Sequence, residues 1–297
     1  MNHRFDIEEL IGNTPLVEMK RINPNPDVKI FAKLEGQNPG GSVKDRAALG
    51  MITDALERGL IKRGDKLVEA TSGNTGIALA MIASLKGLEM HLIMPENSSQ
   101  ERIDTMKAYG AKVVLTEAAR TIEYSRQLAI EMAATGEYHL LNQFDNHANP
   151  NYHYRSTGPE IFKDTDGKVT HFISAMGTTG TIMGVSRYLK EQNDAVQIVG
   201  TQPTEGSKIP GIRRWSPEYL PGIFDAARVD QVIEVSEAQA VETMKRMAKE
   251  EALFVGVSSG GAMYAALKLA EKLDEGVLVT IACDRGDRYL STGVYND

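Results

Sequence analysis

From about residue 65 onward the chain alternates short apolar runs with amphipathic segments, and several of the connections between them carry glycine. Leu67-Val68-Glu69-Ala70 leads through Thr71-Ser72-Gly73-Asn74-Thr75-Gly76 into an apolar helix over residues 77–83, with Gly87 placed to cap its C-terminus. His91-Leu92-Ile93-Met94 reads as a strand, and Ser98-Ser99-Gln100-Glu101 has the capping-box spacing of a helix that ends near Gly110. Strands follow at Lys112-Val113-Val114-Leu115, Phe172-Ile173-Ser174, Gln197-Ile198-Val199-Gly200 and Val277-Leu278-Val279-Thr280-Ile281, with a helix to about Lys190 after the second of these. Ser236-Glu237-Ala238-Gln239 caps a further helix whose apolar positions Val241, Met244, Met247 and Ala248 recur at three-to-four spacing. Alternating strands and helices require parallel sheets covered on both faces, so the fold class is α/β.

A chain of 297 residues can bury a large core and is expected to divide it between two lobes. The polar segment 142–152, with Asn149-Pro150, is expected to form the boundary loop, which makes His147 and His153 surface residues. Residues 202–224 form a long connection punctuated by Pro203, Pro210, Pro217 and Pro221. Its interleaved Ile209, Ile212, Trp215, Tyr219, Leu220 and Ile223 predict an ordered loop.

The net charge of −7 is spread over both halves, which argues against a nucleic-acid surface. The first residues lack the apolar run of a signal peptide, and no apolar stretch is long enough to span a bilayer. With a single cysteine, Cys283, no internal disulfide can form, and a cytoplasmic protein is expected. Six histidines show no ligand spacing, so no metal site is expected. Cys283 ends an apolar run and reads first as a small buried residue.

Three glycine-bearing segments carry the chemistry. Lys44 lies in Asn38-Pro39-Gly40-Gly41-Ser42-Val43-Lys44-Asp45-Arg46. Most lysines at helix starts are simply solvated. Here Gly40, Gly41 and Ser42 form a turn without bulk, and Ala47-Ala48-Leu49-Gly50-Met51-Ile52 places the helix in the interior. A lysine at the positive end of a buried helix has a lowered pKa, which suits a nucleophile that later serves as a base. Gly177-Thr178-Thr179-Gly180-Thr181 lacks both the dinucleotide fingerprint and the lysine of a nucleotide P-loop. Its hydroxyls and unobstructed N–H groups at a helix start suit a phosphate dianion. One lysine and two such loops are what an aldehyde cofactor with a phosphate tail needs: an amine for the Schiff base, one loop for an amino-acid carboxylate and one for the phosphate.

These three segments resemble the signature loops of fold-type II pyridoxal-phosphate enzymes. Ile11-Gly12-Asn13-Thr14-Pro15-Leu16 and Gly256-Val257-Ser258-Ser259-Gly260-Gly261 are similar to the opening and closing motifs of the cysteine synthase and cystathionine β-synthase family. Ile209-Pro210-Gly211-Ile212-Arg213-Arg214-Trp215 and Cys283-Asp284-Arg285-Gly286-Asp287-Arg288-Tyr289-Leu290-Ser291-Thr292 resemble its B-type O-acetylserine sulfhydrylase branch.

The resemblance implies two lobes of the tryptophan synthase β-like kind, a smaller mobile one (1–12 and 36–149) and a larger one (13–35 and 150–297). It implies pyridoxal 5′-phosphate as cofactor and a homodimer. Lys44 would hold the cofactor and abstract the substrate α-proton; Asn74 would meet the ring hydroxyl, residues 177–181 the phosphate, and Ser258 rather than Ser259 the pyridine nitrogen. Thr71, Ser72, Gly73, Thr75 and Gln143 would hold the substrate carboxylate. Sulfide or thiosulfate would be the sulfur donor; Arg213 and Arg214, beside Trp215, are either a solvated pair or an anion site that aids thiosulfate as second substrate. The implied reaction replaces the acetate of O-acetylserine, with O-phosphoserine or serine as alternative substrates. A scaffold that binds serine acetyltransferase is the alternative from another class, and intact Lys44, Asn74 and Ser258 count against it.

Overall fold

The computed structural model describes residues 5–71 and 73–296. Its strands fall into two sheets. The first has four parallel strands in the order β5-β4-β3-β6, with β3 at Lys66–Ala70, β4 at Glu89–Pro95, β5 at Lys112–Thr116 and β6 at Tyr138–Leu140. Alternate residues face opposite ways. Leu67, Met90, Leu92 and Met94 pack with helices α1 (Lys44–Glu57), α2 (Asn74–Lys86) and α3 (Gln100–Ala108). Val68, Ala70 and Ile93 face α4 (Thr121–Ala134) through Ala129.

The second sheet runs β1-β2-β10-β7-β8-β9. Here β1 is Leu16–Glu18, β2 Val28–Leu34, β7 His171–Ala175, β8 Gln197–Pro203, β9 Gln231–Val235 and β10 Gly276–Ala282. Only the pairing of β1 with β2 is antiparallel. Ile30, Ile173, Val199 and Leu278 pack on α8 (Glu237–Glu251) and α9 (Val257–Ala270). Phe172, Ile198, Val279 and Ile281 pack on α6 (Thr157–Asp164) and α7 (Gly180–Gln192). Both sheets are therefore covered on both faces, as the apolar runs predict.

Two local expectations are corrected. The helix after Ser98 begins later, at Gln100, without the capping box: Ser98 Oγ donates to Pro95 O and Ser99 Oγ to Glu101 Oε2. The segment expected as a boundary loop turns into a helix from its middle onward, α5 (Ala148–Arg155), with Ala148, Asn149, Pro150 and His153 buried. It is wedged between α1 and α7 because glycines let the backbones approach. A Cβ at Gly50 would lie 2.7 Å from Tyr152 Cβ, and one at Gly184 would lie 2.2 Å from Pro150 O. His153 is thus an interior residue, whereas His147 remains exposed.

Candidate active site

Lys44 is the first residue of α1, and its turn is held from the second sheet. Val43 N–H donates to Cys283 O at 2.8 Å, and Ser42 forms a bridge with Asp284. Burial pushes the Lys44 amine below its ordinary 10.5, while the neighbouring Asp284 carboxyl pulls it partly back. Among the described residues no hydrogen bond or ion pair engages Nζ. A desolvated amine with no partner is a nucleophile prepared for an electrophilic carbon.

Beside it stand the two serines of the α9 start. Ser259 Oγ accepts the Cys283 N–H at 2.8 Å and is fully enclosed. Ser258 makes no such backbone contact: its hydroxyl lies against Gly211 and in reach of the Cys283 thiol. The thiol is pushed up to about 12, mainly by burial and then by Asp284, so it is a neutral neighbour.

The glycine–threonine loop opens α7. Thr179 takes a left-handed backbone (φ 71°), and its buried Oγ1 has no partner among the described residues. Side chains are excluded at both glycines: a Cβ on Gly177 would lie 2.6 Å from Gly211 O, and one on Gly180 2.1 Å from Asn149 Oδ1. An orphaned hydroxyl at the N-terminus of a thirteen-residue helix, in a cradle lined by backbone, fits a phosphate.

The third loop precedes α2. Thr75 Oγ1 donates to Gln143 Oε1 at 2.8 Å, which leaves the Gln143 NH2 as donor. Gly73 N–H reaches Thr71 Oγ1 at 3.4 Å, and Gly73 has open space where a side chain would be. Ser72 lies outside the described residues. Asn149 joins this loop to the glycine–threonine loop, its Nδ2 donating to Gln143 O at 3.0 Å and Thr178 Oγ1 at 3.4 Å. Thr181 Oγ1 lies 3.3 Å from His153 Nε2, whose ring also meets Thr157 Oγ1 through Nδ1 at 2.8 Å. Burial pushes His153 well below 6.5 and keeps it neutral.

The 202–224 connection is ordered, with Ile209, Ile212 and Ile223 buried. It leans on the glycine–threonine loop, since Arg213 N–H donates to Met176 O and Trp215 Nε1 to Gly177 O, both at 2.9 Å. The two arginines part company here. Arg214 is ion-paired with Glu234 on β9 and also donates to Pro203 O. Arg213 lies over the Trp215 ring, which meets Phe144 edge-on, and Arg126 of α4 covers the Phe144 ring. Glu123 and Arg126 are the charges that Arg213 feels most.

Asn74, the first residue of α2, donates from Nδ2 to Asp284 Oδ2 at 2.6 Å, and Arg288 donates to its Oδ1. Sequence reasoning assigned no site role to Asn149, read only as part of the boundary loop, to His153, read as a surface residue, or to Asp284 and Arg288. Asp284 and Arg288 sit inside a motif noted only for its resemblance.

A buried lysine amine, a serine hydroxyl on the Cys283 thiol and a glycine–threonine helix start with an unpartnered hydroxyl have a known counterpart. Residues 7–284 match the family described as pyridoxal-phosphate dependent enzymes. The chain belongs to this family. It is 58% identical over 291 residues to cysteine synthase B of Escherichia coli (strain K12), covering 98% of this chain and 96% of that protein. A crystal structure of cysteine synthase from Entamoeba histolytica superposes with a TM-score of 0.94 at 35% identity, covering 100% of this chain and 92% of that one. O-ureido-L-serine synthase superposes at 0.93 with 37% identity, covering 99% and 96%. The cofactor is pyridoxal phosphate, and the cradle at residues 177–181 and the unpartnered Lys44 amine fit it.

Proposed function

We propose that this chain makes L-cysteine by β-replacement: O-acetyl-L-serine loses acetate, and sulfide adds at the β-carbon. The observation that carries this reading is the unpartnered Lys44 amine, placed with a neutral Ser258 hydroxyl in a chain 58% identical to cysteine synthase B. Bound pyridoxal phosphate supplies an electron sink beside the substrate α-carbon. Lys44 Nζ would hold that group's aldehyde carbon and, as a free amine, would take the substrate α-proton. The Gln143 NH2 and the backbone around Gly73 receive the substrate carboxylate. Thr179 Oγ1 and the N–H groups that open α7 receive the phosphate. Ser258 offers the ring nitrogen a hydroxyl and no charge, which keeps the sink weak and favours prompt loss of the β-leaving group over racemisation.

For the sulfur donor, Arg213 supports a role for thiosulfate. It stands near Arg126 at the aromatic corner of Phe144 and Trp215, whereas the Arg214 charge is already paired. The smaller lobe (1–12 and 36–149) closes over the carboxylate and the larger (13–35 and 150–297) holds the phosphate, with α5 between them. Two such chains form a homodimer in the cytoplasm; no described helix is long and apolar enough to cross a membrane.

The test is an absorbance titration of the loaded protein with O-acetylserine, followed by each sulfur donor. Acetate release and a band change reversed by sulfide are expected, and Lys44→Ala should lose the parental band and multiple turnover. Faster release from O-phosphoserine than from O-acetylserine overturns the substrate. Arg213→Ala should lower kcat/KM for thiosulfate roughly ten- to hundredfold, the effect of one charged hydrogen bond, and for sulfide much less. Equal losses would return Arg213 to a structural role.

A further inference from the structure

The segment after β10 returns to the site from behind Lys44. Asp284 bridges to Ser42, and residues 286–292 form a 3₁₀ turn that carries Arg288 and Tyr289. Arg288 donates to two neutral oxygens, Gly40 O in the turn before Lys44 and Asn74 Oδ1 at the start of α2. No carboxylate among the described residues is within ion-pair distance of it, so Arg288 does not serve as half of a salt bridge. Asp284 Oδ2 accepts from Asn74 Nδ2 at 2.6 Å and from Tyr289 Oη at 2.7 Å. Neither side chain has room to drift. A Cβ on Gly41 would lie 2.6 Å from Arg288 Nη2, and one on Gly256 2.1 Å from Asp284 Oδ1.

The two ends of an asparagine carboxamide are nearly the same shape, so nothing in its own sterics decides which is donor and which acceptor. Arginine can only donate, whereas a carboxylate accepts when ionised. Burial raises the Asp284 carboxyl, so Arg288 is the partner that decides; Asp284 Oδ2, which also accepts from Tyr289 Oη, supports it. Arg288 on Oδ1 and Asp284 on Nδ2 therefore select one orientation of the Asn74 amide and hold it from both ends.

We propose that Arg288 and Asp284 are positioning residues that lock the Asn74 amide so that its remaining Nδ2 hydrogen points a donor at the cofactor ring hydroxyl. This rests on the reading of Asn74 given above. A donor at that oxygen favours its deprotonated, phenolate form, because a hydrogen bond made to the charged form lowers the pKa. An amide free to turn would present an acceptor half the time and favour the neutral hydroxyl. The residue pair thus sets the protonation state of a group that neither touches.

The experiment uses Arg288→Met, Arg288→Lys, Asp284→Asn, Asn74→Ala and the double variant Asn74→Ala/Arg288→Met. Each is measured for pyridoxal-phosphate Kd, for the ratio of the long- to short-wavelength absorption bands of the bound cofactor, and for the thermal midpoint of the cofactor-free protein. Arg288→Met and Asp284→Asn should lower the band ratio and weaken cofactor binding about tenfold, the loss expected for one hydrogen bond at a charged group. Arg288→Lys should recover part of the ratio. In the Asn74→Ala background Arg288→Met should change the ratio and Kd no further, since its effect passes through Asn74. A lower thermal midpoint with a parental band ratio overturns the proposal in favour of a purely structural role. So does an Arg288→Met effect as large without Asn74 as with it. A parent that shows no cofactor band overturns the reading of the site, and this proposal with it; a parental band that no variant shifts overturns the proposal alone.

Discussion

Ser258 and Ser259 are one position apart and chemically identical, and the structure separates them by a backbone N–H from Cys283, twenty-four residues on. Ser259 is spent on that contact, whereas Ser258 meets, among the described residues, only the Cys283 thiol, a weak partner that a ligand acceptor can displace. If Ser258 faces the pyridine nitrogen, Ser258→Asp should stabilise the protonated ring, strengthen the electron sink and slow productive elimination at least tenfold while the cofactor remains bound. Single-turnover acetate release from O-acetylserine checks this, and a parental rate would move the ring nitrogen elsewhere. The motif alone favoured Ser258; the contact that occupies Ser259 was not legible, because its donor is distant in sequence. His153 was misread for a related reason. Its neighbours in the chain are polar, and what buries it is Thr157 one helical turn on and Thr181 of a different loop. The helix-start position and lowered pKa of Lys44 were legible because its turn and its helix are contiguous with it; the lowering comes first from desolvation.

Among the elements, the strands β3, β4, β7, β8 and β10 were readable as apolar runs because parallel strands buried on both faces have no polar face to interrupt them. Helix α5 was not. Ala148-Asn149-Pro150-Asn151-Tyr152-His153-Tyr154-Arg155 has little apolar periodicity, and its burial depends on Gly50 of α1 and Gly184 of α7 admitting its backbone. Short β1 and β6 offered too few residues for a period. That unread helix places Asn149, which ties Gln143 to Thr178. Gly180 is the tightest point of this join. Gly180→Ala would set a methyl 2.1 Å from Asn149 Oδ1, so Asn149 must move and both of its hydrogen bonds are put at risk. Cofactor affinity should fall about tenfold or more, given the loss of one or two hydrogen bonds at an anion site. Titration of cofactor-free protein with pyridoxal phosphate measures this, with far-UV circular dichroism to show that the fold persists. Unchanged affinity would mean that the loop accommodates the methyl without Asn149.

For the whole molecule, the question is what holds the Lys44 helix to the second sheet. Two residues after Lys44, Arg46 enters a buried ionic cluster that spans β2, α1 and α6. It pairs with Glu35 at 2.7 Å and Glu160 at 2.7 Å; Lys33 of β2 meets Glu160 at 2.8 Å, Asp164 at 3.2 Å and Thr14 O at 2.6 Å. Both cations are fully enclosed, so removing a partner leaves charge without compensation. Burial alone would raise the Glu160 carboxyl, but Arg46 and Lys33 outweigh it and hold the group at about 2, against an ordinary 4.5. A carboxyl depressed in the folded state stabilises the fold above its unfolded pKa, and that contribution drains away as pH falls through the folded value. The window here is from about 4.5 down to about 2. At about 1.4 kcal/mol per pH unit the difference corresponds to roughly 3 kcal/mol. Asp45 and Glu69, both raised to about 7 chiefly by burial, act with the opposite sign, their ionisation costing stability as pH rises through about 7. They are common to parent and variant, so the comparison cancels them. Glu160→Gln should therefore lower the unfolding free energy at pH 7 by about 3 kcal/mol, and the gap to the parent should shrink as pH falls from 4.5 toward 2. Urea unfolding at pH steps across that range measures the gap. A gap that stays constant down to pH 2 would show that Glu160 holds the Lys44 helix by shape and neutral hydrogen bonds, not by its charge.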